Sequence, residues 1–158
     1  MWPEQAFYII PRKEWNPKPP KSVFGLAKLA KHVMVTWTNS DHCHDRTTCL
    51  KTMQDLQNKH MESGMDDIAF NFVVGGDLIV YEGRGWKIAP IKIERRESIQ
   101  STSILIGVVG QEGMVLAEEK HAVVDKLISY GKNNGLLMEY ITEIPLFDIT
   151  QLPPMLPT

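Results

Sequence analysis

Apolar residues along this chain change their spacing several times, and each change marks an element. "HVMVTW" (residues 32–37) is a short, largely apolar run with β-branched residues, and it predicts a buried strand. From about residue 48 to 62, Leu50, Met53, Leu56 and Met61 recur at roughly helical spacing, and Gly64 follows where a helix C-cap belongs. "FNFVVGGDLIVYEG" holds two strand-like runs around Gly75, Gly76 and Asp77, the pattern of a hairpin. "STSILIGVVG" (101–110) is apolar at both alternating sets of positions, so it predicts a central strand. Between residues 114 and 133, Val124, Leu127 and Ile128 share one side while Glu118, Glu119 and Lys126 lie elsewhere. That spacing predicts a second helix, ended by Gly131 and Gly135.

The order strand, helix, two strands, strand, helix predicts an α/β fold, a mixed central β-sheet flanked by helices. Residues 1–30 include the Pro- and Lys-rich "PRKEWNPKPPKS" and are expected to lie on the surface as an extended arm, with residues 31–158 forming the domain. The tail "TEIPLFDITQLPPMLPT" contains four prolines and cannot be a regular helix.

Composition narrows the classes of partner. A chain of 158 residues is large enough for one domain with a real core, and 43% hydrophobic with 23% charged residues is ordinary for a globular protein. A formal net charge of −2 offers no electrostatic reason to expect a nucleic acid or an anionic membrane. No apolar run approaches the roughly 20 residues of a membrane span. The opening "MWPEQAFYII" lacks a basic start and a long apolar centre, so no signal peptide is expected there.

The densest candidate chemistry is "NSDHCHDRTTCLKTMQDLQNKHM", with two cysteines and three histidines. His42, Cys43 and His44 are consecutive, and adjacent side chains do not converge easily on one metal. Structural zinc sites pair ligands two to four residues apart and need a second pair, for which no cysteine is left. A redox C-x-x-C motif is absent. Cys43 and Cys49, separated by turn-prone residues, suit a short-loop disulfide better than two free buried thiols. Such a bridge would imply an oxidising compartment and a mature piece or excised ectodomain. His32, His42, His44, His60 and His121 are read as surface or satisfied core histidines. In "YEGRGW", Glu82 and Arg84 at alternate positions are expected to pair on one face while Trp86 packs as core.

"NKHMESGMDDIAFNFVVGGDLIVYEGRGW" closely resembles the core signature of the peptidoglycan recognition proteins, and "RKEW" resembles that family's Arg-x-x-Trp segment. The similarity is good over residues 34–86 and weaker over 103–140. The resemblance implies that Cys43 and Cys49 form the family's disulfide. It implies a fold related to the zinc N-acetylmuramoyl-L-alanine amidases, with a groove for muramyl peptide. Catalytic members hold zinc with two His and one Cys, leave a position open for water, and use an assisting Tyr.

Against that pattern, Thr36 stands at the position of the first zinc His and Trp37 at its neighbour. Phe70 stands at the position of the assisting Tyr. The segments matching the second His and the Cys, "TEIPLFD" and "LPP", hold neither residue. The resemblance therefore implies a non-catalytic member with no metal and no cofactor. Residues expected at the groove are Trp37, Thr38, Gly64, Met65, Asn71, Phe72 and Arg84. Gly64 keeps one half of the Gly-Trp pair that leans towards one peptide-stem type, but Met65 replaces the indole. The segment after Trp86, "KIAPIKIERRESIQ", is about two residues longer than the family's and chemically different. The expected role is innate immune recognition or signalling regulation through protein–protein contacts, as a decoy or co-receptor of other peptidoglycan-recognition domains or immune receptors. Muropeptide binding without cleavage is the alternative, and an active amidase is the least favoured. The expected location is extracellular or a receptor ectodomain, with an intracellular isoform left open.

Overall fold

The structure is a computed structural model in which residues 7–90 and 102–144 are described. Its strands are β1 (Ile9–Ile10), β2 (Ala30–Trp37), β3 (Phe72–Val74), β4 (Val80–Glu82), β5 (Ser103–Val108) and β6 (Leu137–Ile144). Among the described residues, two α-helices accompany them, α1 (Arg46–Glu62) and α2 (Glu118–Asn133). The strands form one six-stranded sheet in the order β1-β4-β3-β5-β2-β6. Only β3 and β4 run antiparallel; the other neighbours are parallel. The mixed sheet with flanking helices is the α/β architecture expected from the element order.

Strand alternation sorts the core into two layers. Met34, Val73 and Leu105 point to one face, where Met53 and Leu56 of α1 cover them. Val33, Val35, Phe72, Val74, Ile104, Ile106 and Val108 point to the other, beneath Val124, Leu127 and Ile128 of α2. All six residues of β5 are buried, because the strand lies between β3 and β2 with a helix over each face.

Helix α1 begins two residues earlier than its apolar spacing predicts, because Asp45 caps it. The Asp45 side chain accepts from the Thr48 N–H, while the Thr48 hydroxyl reaches back to the Asp45 N–H. The helix stops at Glu62, and Gly64 then takes φ 103°, a left-handed conformation that glycine adopts without strain. Helix α2 starts only at Glu118, so residues 114–117 fall outside it. Gly131 lies within α2 and does not end it. A Cβ there would meet the Trp86 ring at 2.7 Å, so this glycine permits close packing.

Two further expectations need correction. The N-terminal segment is not a surface arm over residues 9–15, although residues 16–29 do run along the surface. β1 pairs with β4, a 3₁₀ turn spans Arg12–Trp15, and Ile10 and Trp15 are each 1% exposed. An indole and an apolar pair bury more favourably than the prolines around them suggest. The Trp15 indole N–H donates to the Glu82 carbonyl, and Arg12 pairs with the buried carboxylate of Asp67. Glu82 and Arg84 do not bond to each other. Glu82 accepts from the Arg12 backbone N–H, and Arg84 donates to the carbonyls of Ile68 and Ala89. Two carbonyls lie within reach of the Arg84 guanidinium, so its Nε and Nη1 are engaged inside the fold.

Residues 142–144 of the tail lie in β6, a strand that the apolar spacing did not reveal, and residues 145–158 lie outside the described residues. β6 hides from pattern reading because it is irregular. Ala30 faces Leu137 but His32 already faces Thr142, so extra β6 residues bulge outwards and Tyr140 is 87% exposed.

Candidate functional site

The C-terminal end of β2 and its neighbours on the α1 face bring several predicted positions together. Thr36 pairs in register with Gly107 of β5. The Phe70 ring and the Thr38 methyl lie directly over Gly107, where a Cβ would meet each at 2.9 Å. Thr36, Thr38 and Phe70 are all buried. An edge-on His60 ring stands 5.6 Å from Phe70. This floor is therefore aromatic and closely packed, and its Thr38 hydroxyl is engaged by Ser40 at 2.6 Å.

His60 is held by its role in that floor. The Ala69 N–H donates to its Nδ1 at 2.9 Å, which requires the neutral ring with an unprotonated Nδ1. Burial, then the charges of Lys59 and Arg84, push its pKa down to about 4, while Asp67 pulls the other way. His60 is thus a structural acceptor at neutral pH. Arg84, whose pKa burial also lowers, ties the segment before β3 to the segment after β4 through the Ile68 and Ala89 carbonyls.

The other expected groove residues separate. Trp37 is nearly buried on the α2 face, its ring against Gly110. Phe72 is fully buried on that same face and packs on Trp86, ring centres 4.5 Å apart. Asn71 is fully buried and bonded at both ends of its amide: it donates to the Gly85 and Ile88 carbonyls and accepts from the Leu105 N–H. It clamps the segment after β4 onto the sheet. Gly64 is exposed and Met65 half-buried at the end of α1. Residues 91–100 of the altered loop lie outside the described residues.

Open space lies beside this floor. A cavity of about 270 Å³ is lined by Asn39, Ser40 and Asp41 after β2, by Thr52, Asp55, Leu56 and Lys59 of α1, and by Gln111. Pattern reading did not select these residues, because the loop after β2 and one polar flank of α1 meet only in the fold. The polar spacing of Thr52, Asp55 and Lys59 along α1 was the available signal.

Cys43 and Cys49 form a disulfide, and both are buried against the α1 layer. His42 and His44 of the same loop are exposed, and His32 bonds the Thr102 hydroxyl. Among the described residues, one group of His, Cys, Asp or Glu brings three possible metal ligands together: His121, Asp125 and Glu143, on the α2 side of the sheet.

No family model matches the chain. Peptidoglycan-recognition protein SC1a of Drosophila melanogaster is 39% identical over 83 residues, which are 52% of this chain and 45% of that protein. The matching stretch thus spans about half the length of such curated relatives. The fold extends the likeness further. The structure of bumblebee PGRP-SA superposes with a TM-score of 0.79 at 31% identity, covering 89% of this chain and 83% of that one. The ectodomain of the Drosophila transmembrane receptor PGRP-LCa superposes with a TM-score of 0.80 at 26% identity, over 86% and 83% of the two chains. Peptidoglycan recognition protein-LE in complex with tracheal cytotoxin, a monomeric diaminopimelic acid-type peptidoglycan, gives 0.77 at 28% identity, over 87% and 81%. With its "FNFVVGGDLIVYEGRGW" hairpin, its bridged loop before α1 and its mixed sheet all in these places, this chain belongs to the peptidoglycan recognition protein family.

Proposed function

We propose that this domain serves innate immune recognition or its regulation without cleaving peptidoglycan, acting through contacts with related recognition domains or immune receptors. The observation that carries this reading is the fate of the thiols. The chain has two cysteines, and both are consumed by the Cys43–Cys49 disulfide, so no thiolate remains for a zinc centre of two His and one Cys. The surroundings of Thr36 agree: Phe70 and Thr38 fill the floor with a ring and a methyl group, and no carboxylate or imidazole group of three converges there among the described residues. The residues around Thr36 and Phe70 do not fit a hydrolytic zinc.

Contact with proteins draws support from exposed apolar side chains. Val115 is 91% exposed and Tyr140 87%, the latter on the bulged edge strand β6. Among the described residues β6 is the last strand of the sheet, and protruding apolar side chains beside it are ones that another protein can cover. The buried disulfide supports an extracellular or ectodomain location. Among the described residues, no helix is long and apolar enough to cross a membrane. The test is co-purification and biolayer interferometry of this chain against a panel of peptidoglycan-recognition ectodomains. Micromolar association with one of them, together with no release of peptide stems by the zinc-supplemented protein, is expected. Absence of any association, or stem release, refutes the reading.

A second reading is muropeptide binding without cleavage, and the cavity beside α1 is the observation that favours it. Its lining of two hydroxyls, two carboxylates, two amides and Lys59 can meet peptide and sugar groups, although 270 Å³ is at the small end for a ligand pocket. Calorimetry with diaminopimelate-type and lysine-type muropeptides separates the two readings, since micromolar binding of either would favour this second one.

A further inference from the structure

We propose that His121, Asp125 and Glu143 form a binding site for a divalent transition ion, zinc in the first instance, on the face of the sheet opposite Thr36. His121 and Asp125 are four residues apart on α2, so their side chains leave the helix on one flank, and His121 Nδ1 lies 3.3 Å from Asp125 Oδ2. Glu143 comes from β6. It stands in register with Val33, whose side chain lies in the α2 layer, so strand alternation turns Glu143 towards α2. The three donor atoms lie within 4.8 Å of one another.

That geometry is close to what a metal imposes. Donors held at about 2.1 Å in a tetrahedron stand roughly 3.4 Å apart, so the His121–Asp125 pair is already at coordination spacing. Glu143 closes the remaining gap by a small rotation of an exposed side chain. One imidazole and two carboxylates favour zinc, cobalt or nickel over magnesium and calcium, whose preference is for oxygen alone. Two carboxylates and a neutral imidazole carry two negative charges, which a divalent ion neutralises in full. The donors sit on hydrogen-bonded elements, since β6 pairs with β2 at residues 142–144 and α2 is packed on the core. Three protein donors leave further positions for water or for a ligand from another molecule.

Nothing in this site depends on the proposed immune role, and its test is independent of it. Tag-free protein is titrated with zinc chloride by calorimetry, and with cobalt(II) while visible absorption is followed. One ion per chain should bind with micromolar affinity, and cobalt should give the intense visible bands of a low-coordinate site. His121→Ala and Glu143→Gln should each weaken binding by at least about tenfold, the scale on which even supporting groups act at metal sites. Both residues are exposed, so the metal-free variants should melt with the parent. His42→Ala combined with His44→Ala should leave binding unchanged. The proposal is overturned if the parent binds zinc no better than millimolar. It is equally overturned if binding survives His121→Ala or vanishes with the paired loop histidines.

Discussion

Acid should loosen this domain through His60, and the size of the effect follows from its surroundings. The ring is pressed beside Phe70, accepts from the Ala69 N–H, and has its pKa pushed from 6.5 down to about 4. In the unfolded chain the imidazole takes up a proton near 6.5, whereas the folded state resists it until about 4. Between these values the unfolded state binds more protons, so stability falls as pH falls. The full shift corresponds to about 3 kcal/mol, of which about 2 kcal/mol is lost by pH 5. Both are upper figures, because the ring keeps partial contact with solvent. The assay is urea unfolding followed by tryptophan fluorescence at pH 7.5, 6, 5 and 4.5, on the parent and on His60→Asn. The asparagine keeps an acceptor for Ala69 but cannot titrate in this range. Other groups act in both proteins, so the informative quantity is the difference between the two curves. It should shrink by about 2 kcal/mol from pH 7.5 to pH 5, as the parent loses its excess stability. Parallel curves would show that His60 takes up its proton equally in both states, and the account of the buried floor would fail.

Three further changes probe other contacts. Gly83→Ala would drive a Cβ to 2.1 Å from the Phe70 carbonyl oxygen, and a loss of at least about 2 kcal/mol in chemical denaturation is expected. Arg12→Met leaves the nearly buried Asp67 carboxylate with only the Gln57 and Ile68 donors, and should cost about 2–3 kcal/mol with a lower melting temperature. Replacing Cys43 and Cys49 together by serine opens a short loop whose entropy is worth about 2 kcal/mol, to be read as a lower urea midpoint that reducing agent no longer shifts.

What sequence alone determined were the features written in local periodicity. β2, the β3–β4 hairpin, β5 and α1 follow from alternating or helical apolar spacing, because the same face of each must be buried wherever the element sits. The family signature and the two cysteines were equally plain, since both are short-range patterns. Tertiary structure decided what joins residues far apart. It made a core residue of Trp15, by giving the indole N–H the Glu82 carbonyl and placing β1 against β4. It turned Arg84 to the Ile68 and Ala89 carbonyls, where alternation alone had aimed it at Glu82. It admitted β6 through an outward bulge that no period of two can show. The cavity beside α1 and the His121–Asp125–Glu143 group arise in the same way. Their members are ordinary polar surface residues until folding fixes which helix flank meets which loop or strand, and distance in the chain carries no record of that meeting.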